Sequence, residues 1–544
     1  MDNSRRNVIK LSAITAMSLI MSGCGTDDII KNIFEDDEVV STDTSIQYDV
    51  RKIYLKFSEA IDEQTLNGNV YLMDKTGSLV HRHTVELDTN VTSNTGVIIV
   101  LNPDFDLEES WIYTVVITSG LKTTSGKSVT DLIHLNILTA SKSPFLDTDP
   151  VNENRTKIVV ISDIHMNEQR AEDDGYTLFS ENTERLTDFL EHIRLSPEIK
   201  ELVILGDLMD MWVVPMAYKT FHDTVTDKAA FFQSVADATL NKDIINKINQ
   251  IANEGKIRFS YVPGNHDMDF DESIFYTVFP NGHWKGDQAG TGVYYPEADI
   301  AFEHGHNYDL FNAPDPLTTT GSLLPPGYFI TRIYATHNIL LSGTNLAPAI
   351  KRSLESEAQE LAFKLGWDLA VDSLQIPNFD PYHPQIVTDI DSYENLYSSK
   401  SARNIYAASI GPNWEQRQLQ NGVYDPEPFV MSGLNGTGQF GWFGSLEASA
   451  ILQYFIPDRA KIVVFGHTHD AMIKKGTWTE EKIYANSGTW VDTKYLNDGT
   501  VNRTCVVLNS STSTGSDLDS VTVYQYEGGS ILHKIGEEYL VRRV

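Results

Sequence analysis

Five short motifs occur in one fixed order between residues 163 and 469. They are Asp163-Ile164-His165, Gly206-Asp207-Leu208-Met209-Asp210, Gly264-Asn265-His266-Asp267, His304-Gly305-His306 and Gly466-His467-Thr468-His469. Each supplies oxygen or imidazole groups able to bind a metal. Each also follows a short apolar run (157–162, 202–205, 259–263, 300–303 and 461–465) that predicts a buried strand. Side chains just past the C-terminal ends of neighbouring strands face one crevice, so ligands far apart in sequence converge there. A single Asp-x-His is commonly a surface or capping pair. Five sets in series, all at strand ends, are not.

Amphipathic helices are expected between the strands. Leu186, Phe189, Leu190 and Ile193 fall on one helix face, as do Ile244, Ile245, Ile248 and Ile251, and both faces read as core. After the last motif, runs at 482–485, 506–508, 521–526 and 530–535 predict strands suited to a second sheet.

The order D-x-H, G-D-x-x-D, G-N-H-D, H, G-H-x-H resembles the calcineurin-like metallophosphoesterases over about residues 156–310 and 455–540. The resemblance implies a sandwich of two mixed sheets flanked by helices, with two metal sites. Asp163, His165, Asp207 and His469 would hold one ion, and Asp207, Asn265, His304 and His467 the other, with Asp207 as the bridge. His266 would stand beside the leaving group, with Asp267 orienting its ring. Of His304 and His306 only one is expected to ligate; His304 is favoured, with His306 lining the site.

The residue types suit the chemistry. Two cations roughly 3.5–4 Å apart clamp the attacking and leaving oxygens of an in-line displacement at phosphorus. A bridging carboxylate offers one oxygen to each, and water held between them loses a proton near neutral pH. Mixed imidazole and carboxylate ligation favours Zn, Mn or Fe over Ca. His266 can give a proton or a hydrogen bond to the departing oxygen; its structural alternative is a histidine satisfied by Asp267. Purple acid phosphatases place Tyr where this chain has Asp210 and Gly where it has His165, so the chain does not resemble them. Lipid A-type pyrophosphatases usually carry Arg in the His266 slot. Asp210 reads as a residue behind the ligands, not as a ligand.

Ser4-Arg5-Arg6-Asn7-Val8-Ile9-Lys10 resembles a twin-arginine export signal and precedes an apolar stretch, 11–21, too short to span a bilayer. Met21-Ser22-Gly23-Cys24 resembles a bacterial lipobox, which implies cleavage before Cys24 and lipidation of that cysteine; an ordinary signal peptide is the alternative. The expectation is an extracytoplasmic protein held to a bacterial membrane by its N-terminal lipid only. Loss of residues 1–23 removes three basic residues and one acidic, leaving 39 basic against 74 acidic. So acidic a surface repels nucleic-acid backbones, and no nucleic-acid-binding role is expected. Cys505, the only other cysteine, lies in an apolar run and reads as a buried strand residue, so no intramolecular disulfide is available.

Residues 24–45 read as an acidic tether. Over 46–140, short β-rich runs at 52–57, 70–73, 97–101, 111–117 and 132–138 alternate with turn signals and predict a β-sandwich. Phe57-Ser58-Glu59-Ala60-Ile61-Asp62, and Tyr113-Thr114-Val115-Val116-Ile117 followed by Gly120-Leu121-Lys122, resemble bacterial Ig-like domains. A spacer is the preferred role there, with glycan or peptide binding as the alternative, because His81, His83 and His134 lack a carboxylate framework. A linker at 141–155 leads into the α/β domain at 156–310 and 455–544.

Residues 311–454 form an insertion longer than a loop requires. It is read either as a cap or as a peripheral decoration, with a helix expected over 347–373. Gly436-Thr437-Gly438-Gln439-Phe440-Gly441 matches G-x-G-x-x-G but neither follows a strand nor opens a βαβ unit, which excludes dinucleotide binding. Phe440, Trp442 and Phe443 line a pocket or pack the insertion. The expected activity is dinuclear metal-dependent hydrolysis of a phosphomonoester or phosphodiester of a small molecule or lipid head group. The alternative is a metal-containing lipoprotein that binds without hydrolysing.

Overall fold

The computed structural model describes residues 41–43, most of 52–142, then 155–221, 227–287, 291–319, 322–341, most of 363–427, and 446–541 apart from 478–479, 497–499 and 511–517. Residues 1–40, with the export signal and Cys24, lie outside the described residues. So do most of the helix expected over 347–373, the Gly436–Gly441 stretch, Phe440, Trp442 and Phe443.

The chain divides into two compact units, one of Phe145–Val523 with Glu537–Val544, the other of Asp27–Pro144 with Tyr524–Gly536. In the smaller unit, strands β1 (Ser41–Asp43), β2 (Lys52–Lys56), β3 (Val70–Met73), β4 (His83–Leu87), β5 (Gly96–Leu101), β6 (Ile112–Ile117) and β7 (Ile133–Leu138) form two antiparallel sheets, ordered β1-β2-β5-β4 and β3-β6-β7. Every second residue points inward. Ile53, Leu55, Val70, Leu72, Val97, Ile99, Val115 and Ile117 are all buried in one core, as a two-sheet sandwich requires. The short strand β8 (Ala140–Lys142) follows.

The larger unit is built on strands that are apolar almost throughout. β9 (Lys157–Ile161), β10 (Ile199–Leu205), β11 (Arg258–Val262) and the short β12 (His283–Trp284) run parallel, and all but one residue of β10 is buried. Parallel strands covered on both faces need this composition. Helix α1 (Thr183–Leu195) buries Leu186, Phe189, Leu190 and Ile193. Helix α2 (Lys242–Glu254) buries its four expected isoleucines and stops at Gly255, whose φ of +66° is the left-handed turn glycine provides. A second sheet joins β13 (Val293–Glu297), β14 (Ile300–Glu303), β17 (Ile462–Phe465), β19 (Glu481–Asn486) and β18 (Met472–Thr477) in the order β13-β14-β17-β19-β18. β14, β17 and β19 are parallel neighbours.

The expectation for the C-terminal strands is corrected here. Only the run at 482–485, within β19, enters the second sheet. β20 (Thr504–Asn509), β21 (Leu518–Gly528) and β22 (Ile531–Val541) instead extend the first, where β20 pairs antiparallel with β9 (Val506 opposite Val160). An apolar run reports that a strand is buried, not which strand it bonds to. Cys505 is buried in β20, and burial pushes its thiol pKa up.

The described part of the insertion includes helices α3 (Pro326–Leu341), α4 (Ser399–Ala407) and α5 (Trp414–Gln420) and a small hairpin, β15 (Ile386–Val387) with β16 (Leu396–Tyr397). Phe329 of α3 packs against Tyr393, Tyr397 and Tyr406. Among the described residues, no helix is long and apolar enough to cross a membrane.

Candidate metal centre

Where the strands stop, their hydrogen-bonding continues into the loops. Past β9 and β10, Asp163 N–H donates to Gly206 O (3.1 Å), Ile164 and His165 N–H to Asp207 O (2.9 Å each), and Met166 N–H to Leu208 O (2.9 Å). This locking turns the backbone left-handed at the chemically important residues. Asp163 (φ +53°), His165 (+57°), Asp207 (+53°), His467 (+71°) and His469 (+60°) all lie there; among described non-glycine residues only Asp458 and Arg503 join them. Such a conformation costs about 1–2 kcal/mol per residue, and its concentration in one loop cluster marks a functional site.

The glycines before the ligands are steric necessities. A Cβ on Gly206 would lie 2.5 Å from His304 Nδ1 and 2.7 Å from Gly264 Cα, and one on Gly264 would strike the Asp207 carboxylate.

Seven expected donors converge. Asp163, His165 and His469 form one cluster able to hold a cation, and Asp207, His304 and His467 another. His469 Nε2 lies 3.3 Å from Asp163 Oδ1 and 3.1 Å from His165 Nε2. His304 Nε2 lies 3.2 Å from Asn265 Oδ1. One oxygen of Asp207 stands between the two groups: Oδ2 is 3.6 Å from His165 Nε2 and 3.4 Å from His304 Nε2. Asp207 Oδ1 is taken up by His266 N–H at 2.9 Å. Oδ2 is thus the Asp207 oxygen that faces both groups. His306 is buried with its ring 5.3 Å from that of His304, outside both clusters.

These residues fit divalent cations. Ligands about 2.1 Å from a common ion lie roughly 3.0–3.4 Å apart, close to the separations found. Asp163 Oδ1 is buried without a hydrogen-bond donor of its own. Burial opposes ionisation of Asp163 and Asp207, yet the surrounding imidazoles hold both below the usual carboxylate range. In return, His304, which burial alone would depress, is raised to about 10 by Asp207 and Asp163. Two buried carboxylates need this much positive charge, and a divalent cation supplies it outright.

Behind the donors, one carboxylate serves two rings. Asp210 Oδ2 lies 2.7 Å from His165 Nδ1 and 2.8 Å from His266 Nδ1, while Oδ1 accepts from Trp212 N–H (2.7 Å) and Val213 N–H (2.9 Å). With Nδ1–H on Asp210, His165 turns the lone pair of Nε2 to the cluster. Burial holds His165 below its ordinary value. His266 goes the other way: burial would depress it, but Asp210 and Asp207 raise it to about 9. Its side chain keeps 14% exposure, and the Trp212 ring packs on it at 4.6 Å.

Asp267 does not orient His266, as the sequence had suggested. Its oxygens are filled by Gly264 N–H (2.7 Å), Leu208 N–H (2.8 Å) and the Tyr261 hydroxyl, and burial raises it to about 6. It ties two ligand loops together. The nearer Asp210 takes the ring.

Two further elements escaped sequence reasoning. Asp309 Oδ2 lies 3.1 Å from His467 Nε2. Its only signal was an acidic residue three positions past His306. The stretch 486–490 holds the loops from behind: Asn486 donates to Gly466 O (2.6 Å), and Trp490 N–H and Thr489 Oγ1 donate to Asp163 O (3.0 and 2.8 Å). It carries no titratable group, so no chemical signal pointed to it.

Comparison with known proteins agrees with this geometry. Residues 156–343 match the calcineurin-like phosphoesterase family, and residues 38–136 a bacterial Ig-like domain family. No curated protein matches the sequence. Among solved structures, a dimetal phosphatase from Danio rerio is 12% identical, with 73% of this chain and 100% of that chain covered (TM-score 0.28). Vps29 from Chaetomium thermophilum is 10% identical over 72% and 100% (TM-score 0.24). The S-layer protein rSbsC(31-844) is 23% identical over 21% of this chain, which spans only 16% of that protein (TM-score 0.17). Residues 156–343 are therefore a calcineurin-like phosphoesterase domain, of a family of metal-dependent hydrolases of phosphate esters, carried behind a bacterial Ig-like domain at residues 38–136.

Proposed function

We propose that the protein is an exported, lipid-anchored phosphoesterase that uses two divalent ions (Zn, Mn or Fe) to hydrolyse a phosphomonoester or phosphodiester. Its substrate would be a small molecule or a lipid head group outside the cytoplasm. The observation that carries this reading is the position of Asp207 Oδ2 between two donor clusters, with His266 held beside them on Asp210.

Two cations in these clusters supply Lewis-acid stabilisation of charge building on the phosphoryl oxygens. The residues of the chain do the rest. Asp163, His165 and His469 would hold one ion and Asn265, His304 and His467 the other, with Asp207 facing both. His266 would keep Nδ1–H on Asp210 and offer Nε2–H to the leaving oxygen. Trp212 covers one face of that imidazole and keeps water off it.

Hydrolysis of para-nitrophenyl phosphate and of its bis-ester, with added Mn²⁺ or Zn²⁺, tests the activity. Turnover that depends on metal is expected, and stable metal binding with no turnover on either ester would favour a binding protein.

Location rests on the sequence motifs at 4–10 and 21–24. Cys24→Ala is expected to move the protein from the membrane fraction to the soluble one, and Arg5→Lys with Arg6→Lys to retain it in the cytoplasm. A Cys24→Ala variant that stays with membranes contradicts lipid anchoring.

A further inference from the structure

Two arginines of the insertion are buried, and each spends most of its donors on one loop of the site. Arg332 of α3 donates from Nε to Val214 O (2.6 Å) and from Nη2 to Pro215 O (3.2 Å), Tyr218 O and Val387 O (2.9 Å). Its Nη1 donates to Thr220 Oγ1 (3.1 Å) and to Tyr328 OH (2.5 Å). One turn along, Thr336 Oγ1 accepts from Met216 N–H at 2.7 Å. The loop so held, 211–220, includes Trp212, whose ring lies on His266 and whose N–H caps Asp210.

The second arginine repeats this on the opposite side. Arg417 of α5 donates to Pro314 O (2.8 Å), Leu310 O (3.3 Å) and Ala313 O, with Asp315 at 3.8 Å. Asn421 adds a bond to Pro314 O (2.8 Å). This loop, 309–315, opens with Asp309, the partner of His467 Nε2.

A buried charge is normally paired, because an unpaired one carries its full desolvation cost. Among the described residues no carboxylate pairs with Arg332. What the guanidinium provides is a rigid fork of donors that satisfies several carbonyls at once and fixes the loop carrying them. We infer that Arg332 and Arg417 are positioning residues of the hydrolytic centre. The described part of the insertion that carries them then braces the site. Arg332 holds the Trp212–Asp210 wall behind His266, and Arg417 holds Asp309 against His467. This inference rests on the proposed function, in which His266 is the proton donor and His467 a ligand.

Lysine cannot reproduce either fork, so Arg332→Lys and Arg417→Lys are the test. Misplacing a catalytic group by about 1 Å can cost roughly 10²-fold. Arg332→Lys should therefore lose about tenfold or more activity on alkyl phosphate esters beyond its loss on nitrophenyl esters, measured at saturating metal because Asp210 also steadies His165. Arg417→Lys should weaken binding of one metal ion by about 10–100-fold in calorimetric titration, with the alkyl-to-nitrophenyl ratio unchanged. Amide exchange should quicken in 211–220 for the first and in 309–315 for the second. If either lysine variant fails to fold, Tyr328→Phe and Asn421→Ala remove one bond from each brace and should show the same two signatures at smaller size. Equal losses on both ester classes for the Arg332 series, or undiminished metal affinity for the Arg417 series, overturn the inference. His266→Ala is measured alongside. Leaving-group dependence there but not in Arg332→Lys sinks this inference alone, whereas its absence in His266→Ala sinks the role of His266.

Discussion

Asp207→Asn is expected to abolish turnover and lower the bound metal content while leaving the fold intact. The two clusters meet at Asp207 Oδ2, 3.6 Å from His165 Nε2 and 3.4 Å from His304 Nε2. A neutral amide removes the one anionic ligand that both ions share, and the several kcal/mol of charge stabilisation they supply goes with it. A fall of roughly 10³-fold or more follows. The metal-free protein is affected separately. Asp207 also neutralises His304, which it raises to about 10, and the surrounding imidazoles hold Asp207 itself well below the usual carboxylate range, so the amide is expected to lower the melting temperature of the metal-free protein near neutral pH. Lost metal and lost turnover in a variant that keeps its native circular-dichroism spectrum separate a ligand role from a structural one. Near-normal turnover with two ions bound would remove Asp207 from the centre.

His266→Ala should keep both metals and lose activity selectively. The ring belongs to Asp210 through Nδ1 and keeps Nε2–H for the substrate. General acids contribute about 10²–10⁴-fold, and the need for one grows with the basicity of the leaving group. Nitrophenolate leaves unaided; a sugar or alkyl alkoxide does not. Losses should therefore approach that range on alkyl esters and be much smaller on nitrophenyl esters. Equal losses on both would assign His266 to phosphoryl binding instead.

Much of this centre could be read in the sequence because metal chemistry restricts residue type and strand ends restrict position. The five apolar runs became β9, β10, β11, β14 and β17, and the loops after them carry Asp163, His165, Asp207, Asn265, His304, His467 and His469. The β-rich runs at 52–57 and 97–101 likewise became the sandwich core of Ile53, Leu55, Val97 and Ile99. What escaped depends on tertiary geometry. Asp267 is adjacent to His266 in sequence, but its oxygens are claimed by Gly264, Leu208 and Tyr261, so the ring turns to Asp210. Asp309 and the stretch 486–490 act through contacts between strand-end loops, which leave no local pattern. The insertion was ambiguous because a buried arginine that bonds mainly to carbonyls looks, in sequence, like any arginine on a helix.

The central claim is a pair of ions held by one shared carboxylate. Titration of the metal-free protein with Mn²⁺, followed by electron paramagnetic resonance and by hydrolysis of bis(para-nitrophenyl) phosphate in the same samples, tests it most directly. Ions roughly 3.5–4 Å apart couple magnetically. The account predicts a coupled signal that grows with the second equivalent, in step with activity, and is absent from Asp207→Asn. Full activity at one equivalent, with only an isolated Mn²⁺ signal, would contradict it.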